Sequence, residues 1–204
     1  MVKCMSRVSR TEFFIPDDDE PYGLTYGQWT TRWWEWCFSS PASISPLIDD
    51  TGEFSYFNQT GPVWFLCGTF GENKFPKRKC TIPGDKGILF PVINYIFVTD
   101  AIIRTDYDVA RHVKRDIDDI VKLEAKIDDW PVPSYRVTSD PVVFNINIRE
   151  ENRLGLPVGT NRASADGYWI FLKPLPLGEH KLYFHGSCSG GIRNATASYQ
   201  LFTD

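Results

Sequence analysis

The 204-residue chain has no window approaching about 18 consecutive apolar residues, which excludes a transmembrane helix. It also has no CxxC pair. The five cysteines, Cys4, Cys37, Cys67, Cys80 and Cys188, are odd in number, so the spacing spells neither a closed disulfide framework nor a structural zinc site. Buried thiols are expected, with Cys67 and Cys80 able to bridge only in an oxidising compartment. A basic surplus is missing too. Lys and Arg total 22 against 26 Asp and Glu, a formal net charge of -4, whereas a nucleic-acid binder needs a concentrated basic surface to displace counterions. The one basic run, KFPKRKC at Lys74 to Cys80, reads as a solvated loop with Phe75 tucked beneath it. The first 20 residues lack an apolar run of seven and a small-residue cleavage site. The chain as it stands therefore reads as cytoplasmic, and as secreted if a leader preceded it.

What is present leans towards β structure. Aromatics make up 15% of residues, and 14 Pro and 15 Gly are spread along the chain, a composition that favours strands joined by turns. The length suits one domain. Residues 1–24 read as a flexible polar tail, with the acidic run Asp17 to Glu20 ending at Pro21. Four of the seven tryptophans then fall within TYGQWTTRWWEWCF, Thr25 to Phe38. Thr25 and Gln28 have capping-box spacing, which predicts a helix over about 25–39, ended by Pro41. At 100° per residue, Tyr26, Trp29, Trp33, Trp36 and Cys37 share a face that Trp34 and Phe38 widen, with Gln28, Thr31, Arg32 and Glu35 opposite. That arc exceeds the roughly 100° a helix normally buries, so Trp34 and Phe38 are the pair expected at the surface.

Further along, GPVWFLCGTF and KGILFPVINYIFV read as buried strands around a Pro83-Gly84 turn. Val109, Val113, Ile117 and Ile120 follow helical spacing, but Val121, Leu123, Ala125 and Ile127 alternate with polar residues. A helix over 106–119 and a strand from about Val121, turning at Asp128-Asp129, are expected. PSYRVTS, VVFNINI, GYWIFLKPL, HKLYFHG and ASYQLFT continue as strands. The predicted fold is mainly β: a single-domain sandwich over 25–204, jelly-roll or Ig-like, with the two amphipathic helices, the first laid over one sheet or its open end. No internal repeat or low-complexity tract occurs.

The strings YGQWTTRWWEWCFSSP, PLIDDTG, QTGPVWFLCGTFG, CTIPGDKGILFPVIN, YRVTSDPVVFNI, LGLPVGT and DGYWIFLKPLPLGEHKLYFHG stand in this order over Tyr22 to Phe202. In that order they resemble a family of uncharacterised microbial proteins, which generally carry a secretion signal. The resemblance implies a shared fold and an extracytoplasmic ancestry, and it supplies no catalytic residue.

No motif discloses a reaction. There is no G-x-S-x-G elbow, and His112, His180 and His185 are the only imidazoles. The nearest nucleophile arrangement is HGSCSGG, where His185 would serve Ser187 or Cys188 in a small hydrolase. A metal site from His180, His185 and Cys188 meets the objection that positions 180 and 185 face opposite sides of an extended strand. Asp49-Asp50 and Asp128-Asp129 read as turn residues before they read as acid/base pairs. Asn58-Gln59-Thr60 and Asn194-Ala195-Thr196 are glycosylation sequons, relevant to a secreted chain. The favoured function is a non-catalytic binding or interaction module with an aromatic surface. Its candidate ligand-binding residues are Trp33, Trp34, Phe38 and Trp64 for stacking, with Arg32, Glu35, Gln59 and Asn94 for directed hydrogen bonds. A carbohydrate, another small molecule or a second copy of the chain is the expected partner; no cofactor, metal, nucleic acid or membrane span is expected.

Overall fold

The alternations in the sequence pair into two sheets. A computed structural model of the chain describes residues 13–70, 74–99, 105–152, 154–189 and 194–204. One five-stranded sheet runs β1 (Val63–Phe65), β3 (Gly87–Thr99), β8 (Gly159–Leu172) and β6 (Tyr135–Thr138), with β7 (Phe144–Ile148) also paired to β8. The second runs β2 (Lys77–Ile82), β10 (Asn194–Thr203), β9 (Gly178–Cys188), β4 (Ile120–Ile127) and β5 (Trp130–Pro131). The pairs β1/β3 and β2/β10 are parallel; the others are antiparallel. The sheets face each other across a core that includes Trp64, Phe90, Ile170, Leu182, Phe184 and Leu201. This is the mainly β sandwich with two helices that the composition predicts.

Helix α1 (Tyr26–Ser39) carries the expected capping box: the Thr25 hydroxyl accepts from the Gln28 amide at 3.2 Å, and the Thr25 amide donates to Gln28 Oε1 at 3.0 Å. It lies on the outer face of the first sheet, against Leu89, Trp169, Phe171 and the β7 side chains Phe144, Ile146 and Ile148. Its N-terminal turn comes so close to the chain at 138–140 that a Cβ on Gly27 would stand 2.8 Å from the Thr138 carbonyl oxygen. Helix α2 (Asp106–Asp118) packs on β3 and β8 through Val109, Val113 and Ile117, and feeds directly into β4. Arg136 ties it down, reaching Asp118 at 2.6 Å and the buried Asp166 at 2.8 Å.

Four expectations change. The stretch 13–24, expected as tail, is seated on the sandwich: Phe14 bridges Leu172, the Ile15 amide donates to the Phe171 carbonyl at 2.8 Å, and Tyr26 Oη donates to the Ile15 carbonyl at 2.6 Å. Residues 1–12 lie outside the described residues. Strand β8 begins at Gly159 rather than Gly167, because its first half buries small side chains, Ala163, Ser164 and Ala165, that carry no strand signal in composition. In β4, Ala125 and Ile127 are buried as the alternation demands, while Val121 and Leu123 stay exposed.

The fourth correction concerns KFPKRKC. Residues 77–82 are strand β2, not a loop, and Phe75 is 73% exposed rather than tucked under. Alternation sends Lys77 and Lys79 outward and Arg78 inward, to 2% exposure. The guanidinium is held mainly by neutral acceptors: Nε donates to the Asp49 carbonyl at 2.5 Å, and Nη1 donates to the Cys67 carbonyl and to Tyr199 Oη at 2.8 Å. Tyr199 Oη in turn donates to the Cys67 carbonyl at 2.7 Å. Arg78 thus joins the 49–54 turn, the end of β1 and strand β10. Asp49 caps that same turn, accepting from the amides of Thr51, Gly52 and Phe54, each at 2.8 Å. Burial opposes the Asp49 charge, yet these donors prevail and hold its carboxyl below the usual range. Gly52 follows at φ 92°, where a Cβ would meet the Lys79 carbonyl oxygen at 2.1 Å.

Candidate binding site

Every tryptophan of α1 is buried. Trp33 is 1% exposed, its Nε1 donates to the Leu66 carbonyl at 2.9 Å, and its ring stands edge-on to Trp34 and Trp169, with centroids 4.9 and 5.3 Å away. The expectation of a surface pair is overturned: Trp34 is 0% and Phe38 5% exposed, stacked on each other with centroids 5.9 Å apart. The reason is a second cover. Besides the sheet beneath, β7 included, residues 41–58 flank the helix: Leu47 joins its cluster and Trp36 Nε1 donates to the Phe57 carbonyl at 2.9 Å, while Arg149, just beyond β7, donates Nη1 to the Ser39 carbonyl at 3.0 Å. A helix covered from two sides buries a wider arc than one resting on a single sheet.

The other candidate residues do not converge. Trp64 lies between the sheets while its neighbours Val63 and Phe65 face α1, so a sheet separates it from Trp33. No pocket lined by Trp33, Trp64 and Gln59 forms among the described residues. The Gln59 amide is spent on backbone, donating to the Ser55 and Phe65 carbonyls at 2.9 and 2.8 Å and accepting from the Phe65 amide at 2.9 Å. It closes the loop onto β1. Asn94 lies elsewhere, in a small hollow with Phe70, Asp116 and Ile117 beside α2.

Arg32 and Glu35 are the two exposed residues of α1, and they do stand at a cavity. A cleft of about 600 Å³ runs between the helix and residues 58–62, with Trp29, Trp36 and Phe65 along its floor and Tyr22 at its mouth. Sequence reasoning missed Tyr22, whose ring is 43% exposed and edge-on to Trp29, centroids 6.3 Å apart. Its backbone φ of 55°, uncommon for a non-glycine residue, belongs to the 3-10 turn Pro21–Gly23. The two indole donors at the cleft are satisfied internally, Trp29 Nε1 by the Pro21 carbonyl at 2.7 Å and Trp36 Nε1 by the Phe57 carbonyl, whereas those of Trp34, Trp64 and Trp169 are buried with no partner among the described residues. The Arg32 guanidinium lies 6.0 Å from the Trp29 ring centroid, and among the described residues neither Arg32 nor Glu35 enters an ion pair. Asn58 and Thr60 complete the polar rim, and Glu35 also borders a second hollow of about 540 Å³ with Phe38, Asn147 and Arg149.

The nucleophile arrangement is not assembled. His185 and Ser187 share the outer face of β9 two residues apart, about 7 Å along the strand, and His185 Nδ1 instead pairs with Thr196 Oγ1 at 2.6 Å. Cys188 is buried on the opposite face. Burial, then Lys122, holds the His185 imidazole below its usual value. His180 and His185 do fall on opposite faces of β9, and both His180 nitrogens are occupied, Nδ1 with Asp128 at 2.7 Å and Nε2 with the Pro176 carbonyl at 2.8 Å. Among the described residues no three His, Cys, Asp or Glu side chains converge. Cys37, Cys67 and Cys80 are free, and burial raises each thiol, Cys80 to about 11, so all three are protonated near neutrality. Cys67 faces the helix layer and Cys80 the inter-sheet core. Compared with known proteins, the chain matches no protein-family model, no curated protein and no solved structure.

Proposed function

We propose that the protein is a non-catalytic binding module whose ligand, a carbohydrate or a polar molecule of similar size, seats in the cleft beside α1. The observation that carries this reading is the pair Arg32 and Glu35: a cation and an anion one helical turn apart, exposed and, among the described residues, outside any ion pair, over an aromatic floor. Ring edges and the exposed Tyr22 face supply apolar contact to a sugar, while a guanidinium, a carboxylate, Asn58 and Thr60 supply donors and acceptors for hydroxyls. The cleft's volume falls within the range of small-molecule sites.

A panel of neutral oligosaccharides titrated against tryptophan fluorescence tests the proposal, because Trp29 and Trp36 border the cleft. Binding by the wild type is expected. In Arg32→Ala/Glu35→Ala it weakens about 10- to 100-fold, each lost hydrogen-bonding side chain contributing roughly 1 kcal/mol or more. The melting temperature stays within about 2 °C, since both side chains are exposed. Binding that survives the double substitution, or no binding across the panel, would sink the reading.

A further inference from the structure

The outer face of the second sheet gathers charge that the linear sequence scatters. Register sets Lys77, Ser198, Tyr183 and Lys126 in one row across β2, β10, β9 and β4, and Lys79, Gln200 and Lys181 in the row beside it. Adjacent strands are about 4.8 Å apart and same-face neighbours on a strand about 7 Å. Lys77 and Lys79 are thus about 7 Å apart, Lys79 and Lys181 about 10 Å, and Lys77 and Lys126 about 14 Å. These residues line a shallow trough of about 650 Å³. Lys126 is matched by Glu124 at 2.8 Å, whereas among the described residues Lys77, Lys79 and Lys181 enter no ion pair. A protein with net charge -4 therefore keeps on one concave face three exposed ammonium groups that form no ion pair among the described residues.

We infer that this trough is a second binding site, distinct from the α1 cleft, and that it takes an acidic polysaccharide, a chain of sugar rings bearing carboxylate or sulfate groups. Charge complementarity gives the sign of the ligand. Its class follows from what accompanies the lysines. The half-buried Tyr183 ring and the 36% exposed Phe202 ring, on the same outward parity of neighbouring strands, offer apolar faces to sugar rings. Ser198 and Gln200 offer hydrogen bonds to hydroxyls. Asp129 lines the trough and Glu179 rims it, held by Gln200 Nε2 at 2.7 Å. These carboxylates accept hydrogen bonds from the free hydroxyls that the rings of an acidic glycan carry, donors that a DNA backbone lacks. An anionic bilayer is a poorer match, because a flat surface meets the edges of a trough before its floor.

The experiment compares wild type with Lys77→Gln/Lys79→Gln/Lys181→Gln in titrations with polygalacturonate and with heparin, which separate carboxylate from sulfate recognition. Neutral dextran, an oligothymidylate and phosphatidylserine-rich vesicles run in parallel. Wild type is expected to bind at least one acidic glycan at low salt and to lose that binding as salt screens the lysines. The triple variant binds it roughly 10- to 100-fold more weakly, each exposed ion pair contributing a factor of about two to five. Arg32→Ala/Glu35→Ala leaves this binding unchanged, which separates it from the α1 cleft. Should the triple variant fail to fold, the single Lys→Gln variants carry the test, each with a two- to fivefold loss. Failure to bind either acidic glycan, equal binding by the variants, or tighter binding of the oligothymidylate, the vesicles or dextran would overturn the inference.

Discussion

Arg78→Ala is expected to cost about 3–5 kcal/mol of stability. The guanidinium is buried in a site whose acceptors are two carbonyls and a phenol, so its removal strands the Asp49 carbonyl, leaves a cavity and releases the 49–54 turn from β2. For a chain of this length the loss lowers the melting temperature by about 10 °C. Arg78→Met should recover about 1–2 kcal/mol relative to alanine, because it refills the volume and no longer has to desolvate a charge. Arg78 Nη2 has no partner among the described residues, so part of that desolvation goes uncompensated in the native protein. Melting curves of the two variants decide the matter. A change below about 2 °C for Arg78→Ala would mean that the guanidinium is not the clasp described.

Trp33→Ala is expected to be of similar size, about 3–5 kcal/mol, for a different reason. Trp33 contacts Trp34, Trp36 and Trp169, and its indole anchors the Leu66 carbonyl; truncation opens a large void in the layer between α1 and the first sheet. Trp33→Phe should lose less, since most of the contact area remains while the hydrogen bond to Leu66 goes. Denaturant unfolding of both variants measures the difference. If Trp33→Ala kept wild-type stability and lost ligand binding instead, the ring would belong to a binding surface and the reading of α1 as core would fail.

Local signals in the sequence carried well and coverage carried poorly. The Thr25/Gln28 capping box, the Pro83-Gly84 turn, the change of period after α2 and the alternation of β7 all depend on a few neighbouring residues, and each stands in the structure. Exposure depends on what arrives from far along the chain. The breadth of the α1 apolar arc was legible, but it could be read as a surface only by assuming one cover, and residues 41–58 supply another. Trp33 and Trp64 are both aromatic and both buried, and only strand parity tells that a sheet lies between them. KFPKRKC misled because charge alone suggested a loop; the alternation of exposed and buried residues over Lys77–Ile82 is set by parallel pairing with β10, over 100 residues away. Of the candidate ligand residues, Arg32 and Glu35 alone reach the cleft beside α1, for the elementary reason that they occupy the polar side of the helix.

The division of α1 into a buried aromatic core and an exposed charged edge is tested most directly by the indole N–H signals of the seven tryptophans during titration with a bound oligosaccharide. Trp29 and Trp36 border the cleft, so their signals are predicted to shift with saturation, while those of Trp33, Trp34, Trp64 and Trp169 stay in place. Shifts at Trp34 or Trp64 with Trp29 and Trp36 unmoved would contradict the account.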